Sequence, residues 1–314
     1  MIEAEHVTKC YGEMVAVDDL SFRVEKGEIL GLLGPNGAGK TTTMRILTGY
    51  LAADGGTITV AGWRHPDQSL EIRRHIGYLP ENNPLYPDMC VMEYLSFVAA
   101  MRRVPKAIRK NRIDLVVAMT GLEKMAYKNI GELSKGYCQR VGLAQAIVHD
   151  PEILILDEPT VGLDPNQIVE IRSLIQRFGK EKTIILSSHI LPEVAATCSR
   201  VIILNRGKLA GSGTPEEMSA RARGGNAVTF VLKAPAAEVM SKFRAIPEVK
   251  EIELKGEEGA GQMKYRIITD DAIDMRETIF RMAVDNQWVL TELYRESLSL
   301  EEVFQHLTVT EAAS

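Results

Sequence analysis

A glycine-rich run that follows an apolar, strand-length segment constrains the fold of this chain more than any other feature. Residues 29–33 read Ile-Leu-Gly-Leu-Leu. They lead into Gly34, Pro35, Asn36, Gly37, Ala38, Gly39, Lys40, Thr41 and Thr42. A helical pattern over residues 42–47 follows. Glycines let such a loop turn tightly and bring backbone N–H groups close to phosphate oxygens. This order of elements is that of a phosphate-binding P-loop.

The P-loop pattern predicts that residues 34–42 bind the phosphates of ATP. The helix after the loop presents its positive N-terminal end to them. Lys40 is expected to reach the β- and γ-phosphates, and the Thr41 hydroxyl to ligate Mg²⁺. A Gly-rich turn before a helix can also be only a turn. Here the strand, the lysine and the threonine all stand in register, which favours the P-loop.

Two carboxylates follow a second apolar strand, residues 153–156. Asp157 and Glu158 would lie at its C-terminal end, where ligands bind in open α/β sheets. Asp157 is placed to hold Mg²⁺, and Glu158 is the candidate general base for the water that attacks the γ-phosphate. An isolated acidic pair is most often a solvated strand end. Together with the P-loop, the pair predicts an ATPase.

Composition and charge exclude other classes of protein. The 314 residues are 45% hydrophobic and 25% charged, as in an ordinary globular protein, and the length favours two domains. A net charge of -5 argues against a nucleic-acid partner. No apolar stretch reaches the length of a membrane span or resembles a secretory signal, so a cytoplasmic location is expected. The 4 cysteines match neither a zinc spacing nor a disulfide framework.

Strand-length apolar runs alternate with helical patterns, which predicts an α/β domain built on a parallel core sheet. Runs at residues 2–7, 21–24 and 57–60 alternate more strictly and predict an antiparallel β layer. Strand signals stop between residues 84 and 133, where helices are expected at 91–103 and 108–119. We therefore expect a helical subdomain at about residues 84–135, inserted into the core.

A basic, glycine-containing joint at residues 219–226 separates an ATP-binding domain, 1–218, from an accessory domain, 227–314. The accessory domain is expected to have strands at 228–232, 249–254, 263–268 and 288–294, and helices at 236–245 and 272–284. This β-α-β-β-α-β order is that of ferredoxin-like α+β folds. A last amphipathic segment, 300–307, is expected to pack on it. The domain has no cluster of ligands or nucleophiles, which favours a docking or dimer-stabilising role.

Residues 133–140 read Leu-Ser-Lys-Gly-Tyr-Cys-Gln-Arg and end the helical insertion. They resemble the signature loop of ATP-binding-cassette (ABC) proteins, usually written Leu-Ser-Gly-Gly-Gln, and the resemblance extends over roughly residues 1–218. In that family the loop caps the γ-phosphate held by the P-loop of a second subunit. The resemblance therefore implies a homodimer in which Ser134, Lys135 and Gly136 contact ATP. Without the family, Ser134 is simply a good helix N-cap.

Three further positions resemble functional residues of the family. Tyr11 is similar to the aromatic residue that stacks on adenine, a contact open to any base. Asp164 is similar to the acidic residue of the loop that crosses the dimer interface. His189 is similar to the histidine that touches the γ-phosphate. A strand-end tyrosine and a structural histidine are the plainer alternatives for Tyr11 and His189.

Two departures from the common family pattern indicate which subgroup of the family this chain resembles. Glu81 stands where most members have a glutamine that ligates Mg²⁺ and couples to the membrane partner; a glutamate can still ligate a hard cation. In the signature loop, Lys135 and Tyr137 replace glycine and glutamine, and Lys135 adds positive charge near the γ-phosphate. With the ending Ser-Leu-Glu-Glu-Val-Phe at residues 299–304, these features resemble ATPases paired with ABC-2-type permeases, including gliding-motility exporters.

The resemblance thus implies an exporter subunit at the cytoplasmic face of the membrane, with an integral membrane ABC-2-type permease as its partner. A soluble, non-transport ABC ATPase or a nucleotide-dependent regulator is the alternative.

Overall fold

The computed structural model describes residues 1–221, 226–259, 261–269 and 273–295. They form two compact units that divide between Pro215 and Glu216. No helix within the described ranges is both long and apolar enough to cross a bilayer. Some predicted features lie outside the described residues: the amphipathic segment 300–307, the ending at 299–304 and residues 222–225 of the joint. The domain bounds 1–218, 219–226 and 227–314 therefore stay predictions.

The first unit contains both strands and helices. Its strands are β1 (Ile2–Tyr11), β2 (Met14–Val24), β3 (Ile29–Leu33), β4 (Gly55–Val60), β5 (Trp63–Arg64), β6 (Ile76–Leu79), β7 (Ile153–Leu156), β8 (Thr183–Ser188), β9 (Arg200–Asn205) and β10 (Lys208–Gly213). Its helices are α1 (Lys40–Leu47), α2 (Ser69–His75), α3 (Val91–Met101), α4 (Lys106–Thr120), α5 (Lys135–Ile147), α6 (Pro165–Gly179) and α7 (Leu191–Ala195), with 3₁₀ turns at Glu123–Met125 and Ile130–Glu132.

The core sheet of this unit has the strand order β10-β9-β3-β8-β7-β6. Strands β9, β3, β8, β7 and β6 are parallel, and β10 adds an antiparallel edge. Every residue of β7 is buried, as expected of a strand covered on both faces. Because β3, β7 and β8 are parallel, the segments that follow them, including the P-loop and the acidic pair, meet at one edge of the sheet.

The predicted antiparallel layer is a sheet of order β2-β1-β4-β5. Strand β1 pairs antiparallel with both β2 and β4. Ile2, Leu20 and Val60 from this layer share one buried cluster with Leu30 and Leu32 of the core sheet. Because one face of this layer is buried against the core sheet, apolar residues alternate along its strands. The first strand runs beyond its predicted end, residue 7, which places Tyr11 at its last position.

The predicted helical subdomain is present between β6 and β7, with helix bounds that differ slightly from the prediction. Helix α3 ends at Met101 rather than 103, because Arg103 adopts a left-handed backbone (φ +59°). Helix α4 begins at Lys106 rather than 108, directly after Pro105, since proline suits the start of a helix. It ends at Thr120, because Gly121, with a φ of +68°, forms a left-handed C-cap.

Helix α8 (Pro215–Arg221) spans the division, and the second unit follows. Its elements are β11 (Asn226–Lys233), α9 (Ala236–Arg244), β12 (Val249–Glu257), β13 (Met263–Thr269), α10 (Arg276–Asp285) and β14 (Val289–Arg295). The sheet has the order β12-β13-β11-β14, and all neighbours are antiparallel. The ferredoxin-like pattern is confirmed. Its core includes Phe230, which stacks on Tyr265 with ring centroids 5.3 Å apart and contacts Phe243.

Candidate functional site

The glycine-rich run lies between β3 and α1 and packs tightly against neighbouring strands. A Cβ atom on Gly34 would lie 2.6 Å from the carbonyl oxygen of Leu204, and one on Gly39 would lie 2.4 Å from that of Ala16. Gly39 also has a φ of +100°, which other residues rarely adopt. Glycine is therefore required at both positions, and the loop keeps the bare backbone that a phosphate cradle needs.

A chain of charged side chains crosses the base of the site. The ammonium of Lys40 donates to the carbonyl oxygens of Gly34, at 2.8 Å, and Pro35, at 3.3 Å. It also lies 3.6 Å from Oε1 of Glu158. The other carboxylate oxygen of Glu158 is 2.9 Å from Nδ1 of His189. Lys40 and Glu158 are both buried, which strengthens their attraction. The structure thus brings the three predicted catalytic residues into contact.

Backbone strain and a serine fix the acidic pair after β7. Glu158 has a φ of +47°, an unfavourable value for a residue with a side chain. Its N–H donates to Oγ of Ser187 at 2.8 Å, and the same hydroxyl donates to Oδ1 of Asp157 at 2.6 Å. Strained residues persist where their surroundings hold them, and they concentrate at functional sites. Ser187 was not predicted as a site residue, because a serine at the end of a buried strand carries no signal of its own.

Asp157 has the environment of a metal ligand. Its Oδ1 accepts from Ser187 and, at 3.4 Å, from the Thr41 hydroxyl. Its Oδ2 is buried and has no hydrogen-bond partner among the described residues. Burial raises the pKa of the Asp157 carboxyl, against the hydrogen bonds from Ser187 and Thr41, and the charge of Glu158 raises it further. A buried carboxylate oxygen left unpaired beside a hydroxyl fits a divalent cation.

No group of three or more His, Cys, Asp or Glu side chains in the described part of the chain could hold a metal alone. An ion at Asp157 and Thr41 would therefore need phosphate oxygens or water to complete its coordination. That requirement matches Mg²⁺, which proteins commonly bind through one or two carboxylates together with substrate phosphates.

Most of the predicted residues line one cleft of about 740 Å³, a volume typical of small-molecule sites. They are Tyr11, Asn36, Gly37, Ala38, Gly39, Lys40, Thr41, Thr42, Glu81, Glu158 and His189. Met14, Val15 and Arg206 also line it, and our sequence analysis missed them. Arg206 lies in the turn between β9 and β10 with a φ of +48°. The sequence there predicts a turn, but not which cleft the turn borders.

Of the predicted residues that do not line the cleft, Gly34, Pro35 and Asp157 contact Lys40 or Thr41, which do line it. The other four lie at the N-terminal ends of α5 and α6. We call Ser134, Lys135, Gly136 and Asp164 the signature cluster; none of them is among the described residues that line the cleft. Ser134 is the N-cap of α5, and Asp164 caps α6 by accepting from the N–H of Gln167 at 2.9 Å. A Cβ atom on Gly136 would lie 2.6 Å from the Gln167 side chain. The predicted site residues thus form two groups.

A glycine-rich loop, a buried acidic pair and a histidine around one cleft define a P-loop nucleotide-hydrolysing enzyme. The profile of the ABC transporter family matches residues 17–161. The linearmycin resistance ATP-binding protein LnrL of Bacillus subtilis (strain 168) is 31% identical over 98% of this chain and 98% of its own. The bacitracin transport ATP-binding protein BcrA of Bacillus licheniformis is 42% identical over 67% of this chain and 68% of its own.

Solved structures give the same result. The ATP-binding cassette MJ0796, in a dimeric post-hydrolysis state bound to ADP and Pi, has a TM-score of 0.63 and 25% identity, and the match covers 68% of this chain and 98% of that one. The chain therefore belongs to the ABC transporter family, as an ATP-binding subunit with the ATPase domain. The predicted family, fold class and ATP hydrolysis are confirmed. The comparisons do not support the alternative of a soluble, non-transport ABC ATPase.

Proposed function

We propose that this chain is the ATP-hydrolysing motor of an ABC-2-type exporter, acting as a homodimer on a separate integral membrane permease. The observation that carries the proposal is the buried contact of Glu158 with Lys40 and His189 at the base of the cleft. LnrL, named for linearmycin resistance, and BcrA, named for bacitracin transport, support the exporter assignment. Glu81 and the signature loop favour an ABC-2-type permease. Such a subunit works at the cytoplasmic face of the membrane.

Glu158 is the general base in this proposal. A general base must be held within hydrogen-bond reach of the water it activates. The strained backbone and the bond to Ser187 fix the direction in which Glu158 leaves β7. His189 orients the carboxylate through Nδ1. It would also contact the γ-phosphate of bound ATP. Lys40 would hold the β- and γ-phosphates, and the backbone N–H groups of residues 36–42 would surround them.

Thr41 and Asp157 would hold Mg²⁺, with Glu81 as a further oxygen ligand or coupling residue at the cleft. Bound there, the ion would neutralise phosphate charge during transfer. Asp157 offers its unpaired Oδ2, and Thr41 offers its hydroxyl. Tyr11, exposed at the end of β1, is placed to stack on adenine. These assignments give each predicted cleft residue a role toward the nucleotide or its metal ion.

The signature cluster acts on the second copy. Its residues do not line the cleft of their own chain, and the related cassette MJ0796 is dimeric in a state bound to ADP and Pi. We therefore infer that Ser134, Lys135 and Gly136 cap the γ-phosphate in the partner's cleft, and that Asp164 lies where the two chains meet. The second unit stabilises the dimer or docks on the permease.

Replacing Glu158 with Gln tests the proposal. Purified E158Q should bind ATP as the parent does, lose about 10²- to 10⁴-fold in hydrolysis rate, and accumulate as a dimer with ATP but not with ADP. An ATPase assay, fluorescent-nucleotide binding and light scattering measure these properties. The matched control is E152Q, which removes a carboxylate just before β7 that contacts His75 and not the cleft. Near-normal hydrolysis by E158Q would overturn the assignment of the base.

A further inference from the structure

Hydrogen bonds made by the side chain of Asn83 join the segment that carries Glu81 to helix α5. Asn83 lies two residues beyond Glu81, after β6. Its Nδ2 donates to the carbonyl oxygen of Cys138 at 3.3 Å, and its Oδ1 accepts from Nε2 of Gln145 at 3.2 Å. Tyr94 of α3 donates in turn to Oε1 of Gln145. The amides of Asn83 and Gln145 thus link the Glu81 segment, α5 and α3.

The amide of Asn83 lies directly on the surface of α5. A Cβ atom on Gly142 would be 2.0 Å from Nδ2 of Asn83 and 2.6 Å from Cδ1 of Leu79. Only glycine leaves room for this approach. Tyr94, at the other end of this series of hydrogen bonds, is buried. Burial raises the pKa of its phenol to about 12, so the hydroxyl stays protonated and donates to Gln145.

The carbonyl that Asn83 binds belongs to the first turn of α5. The N–H of Cys138 donates to the carbonyl oxygen of Ser134 at 2.9 Å. This turn therefore begins at Ser134, the N-cap of α5 and a member of the signature cluster. Asn83, Gln145 and Tyr94 do not line the nucleotide cleft. Their bonds can therefore change the orientation of the signature cluster without changing how one chain binds phosphate.

We propose that Asn83 is a positioning residue that sets the orientation of α5, and with it Ser134 and Gly136, relative to the Glu81 segment. The inference rests on the proposed function, because that orientation matters only where Ser134 and Gly136 meet ATP on a second copy. Removing the amide frees the first turn of α5. ATP binding by one chain then stays unchanged while closure of the dimer weakens.

The test begins with N83A in the full chain. For E158Q/N83A, the Kd for ATP, measured at protein concentrations too low for dimerisation, should stay within about twofold of that of E158Q. The kcat of N83A should fall roughly 5- to 10-fold relative to the parent, the scale of one or two lost hydrogen bonds. E158Q/N83A should need a correspondingly higher protein concentration to dimerise with ATP. N111A is the matched control, since Asn111 is exposed on α4 and the same change there should leave kcat unaltered.

A double-mutant cycle separates positioning from general damage. In G142A the new methyl group displaces the Asn83 amide, so kcat should fall. In N83A/G142A that clash is absent. The new methyl group then lies close to Cδ1 of Leu79, which can move because it ends a rotatable side chain. G142A should therefore add little to N83A. Fully additive losses would overturn the proposal. So would equal ATP-dependent dimerisation of E158Q and E158Q/N83A. Failure of E158Q itself to dimerise would instead overturn the proposed function, and this inference with it.

Discussion

The hydroxyl of Ser187, at the end of β8, donates a hydrogen bond of 2.6 Å to Asp157, at the end of β7. It also accepts from the N–H of Glu158, so one buried hydroxyl fixes both members of the acidic pair. Burial raises the pKa of Asp157, and the hydrogen bond from Ser187 opposes that rise. Ser187 therefore favours the charged carboxylate that a metal ligand requires.

S187A should weaken the use of Mg²⁺. Loss of the Ser187 hydroxyl removes a hydrogen bond that stabilises the charged carboxylate of Asp157. It also leaves the buried N–H of Glu158 without its hydrogen-bond acceptor. We expect a loss of about 1 to 3 kcal/mol in the free energy of unfolding and a higher Mg²⁺ concentration for half-maximal hydrolysis. Denaturant titration and ATPase assays across Mg²⁺ concentrations measure both. S173A is a suitable control, because Ser173 is an exposed residue of α6 that bonds to its own helix. Unchanged Mg²⁺ dependence in S187A would contradict this role.

Local patterns predicted most of the cleft. The P-loop, the acidic pair and His189 each follow a core strand, and parallel strands bring such segments to one edge, so spacing along the chain sufficed. Contacts made across the fold were not predictable. Ser187 and Asp157 are separated by 30 residues in the sequence, and Asn83 and Cys138 by 55. No local sequence pattern predicts either contact. The signature cluster needed the family resemblance, since its own chain does not bring it into the cleft.

Helix bounds were missed where a backbone preference overrode the apolar periodicity. Helix α10 was predicted from residue 272 and begins at Arg276, where Oδ1 of Asp274 accepts from the Arg276 N–H. Short acidic side chains commonly hydrogen-bond the backbone just before a helix and so delay its start.

H149Q should make the stability of the protein less sensitive to mild acid. Burial and, to a smaller extent, the positive charge of Arg102 lower the pKa of His149 to about 4, although a hydrogen bond to the carbonyl oxygen of Ile76 opposes them. Between pH 6.5 and 4 the unfolded chain thus binds a proton that the folded chain does not, so stability falls as the pH falls through this window.

The difference in unfolding free energy between parent and H149Q should therefore change by about 2 to 3 kcal/mol from pH 7 to pH 4, with the parent losing more. Urea titrations of both proteins at several pH values measure it. Glutamine can still donate to the carbonyl of Ile76, which limits other effects of the change. Parallel losses in the two proteins would show that His149 is not the group responsible.

Mixing two inactive variants tests whether the site is composite. K40A disables the cleft of its own chain, whereas G136D disables the signature cluster, because an aspartate there meets the Gln167 side chain and places negative charge near the γ-phosphate. A mixed dimer holds one site with both lesions and one with neither. Random exchange makes about half of the dimers mixed, so activity should return to roughly a quarter of the parent's. The estimate assumes that an intact site turns over beside a disabled one.

The matched control is a mixture of K40A and E158Q. Both lesions then lie in clefts, one in each chain, so neither site of a mixed dimer is intact and activity should not return. Labelled chains confirm that exchange has occurred in both mixtures. Recovery with G136D but not with E158Q requires that a cleft and a signature cluster from different chains form one site. Equal results in the two mixtures, or full activity in a monomer, would mean that each chain hydrolyses ATP alone.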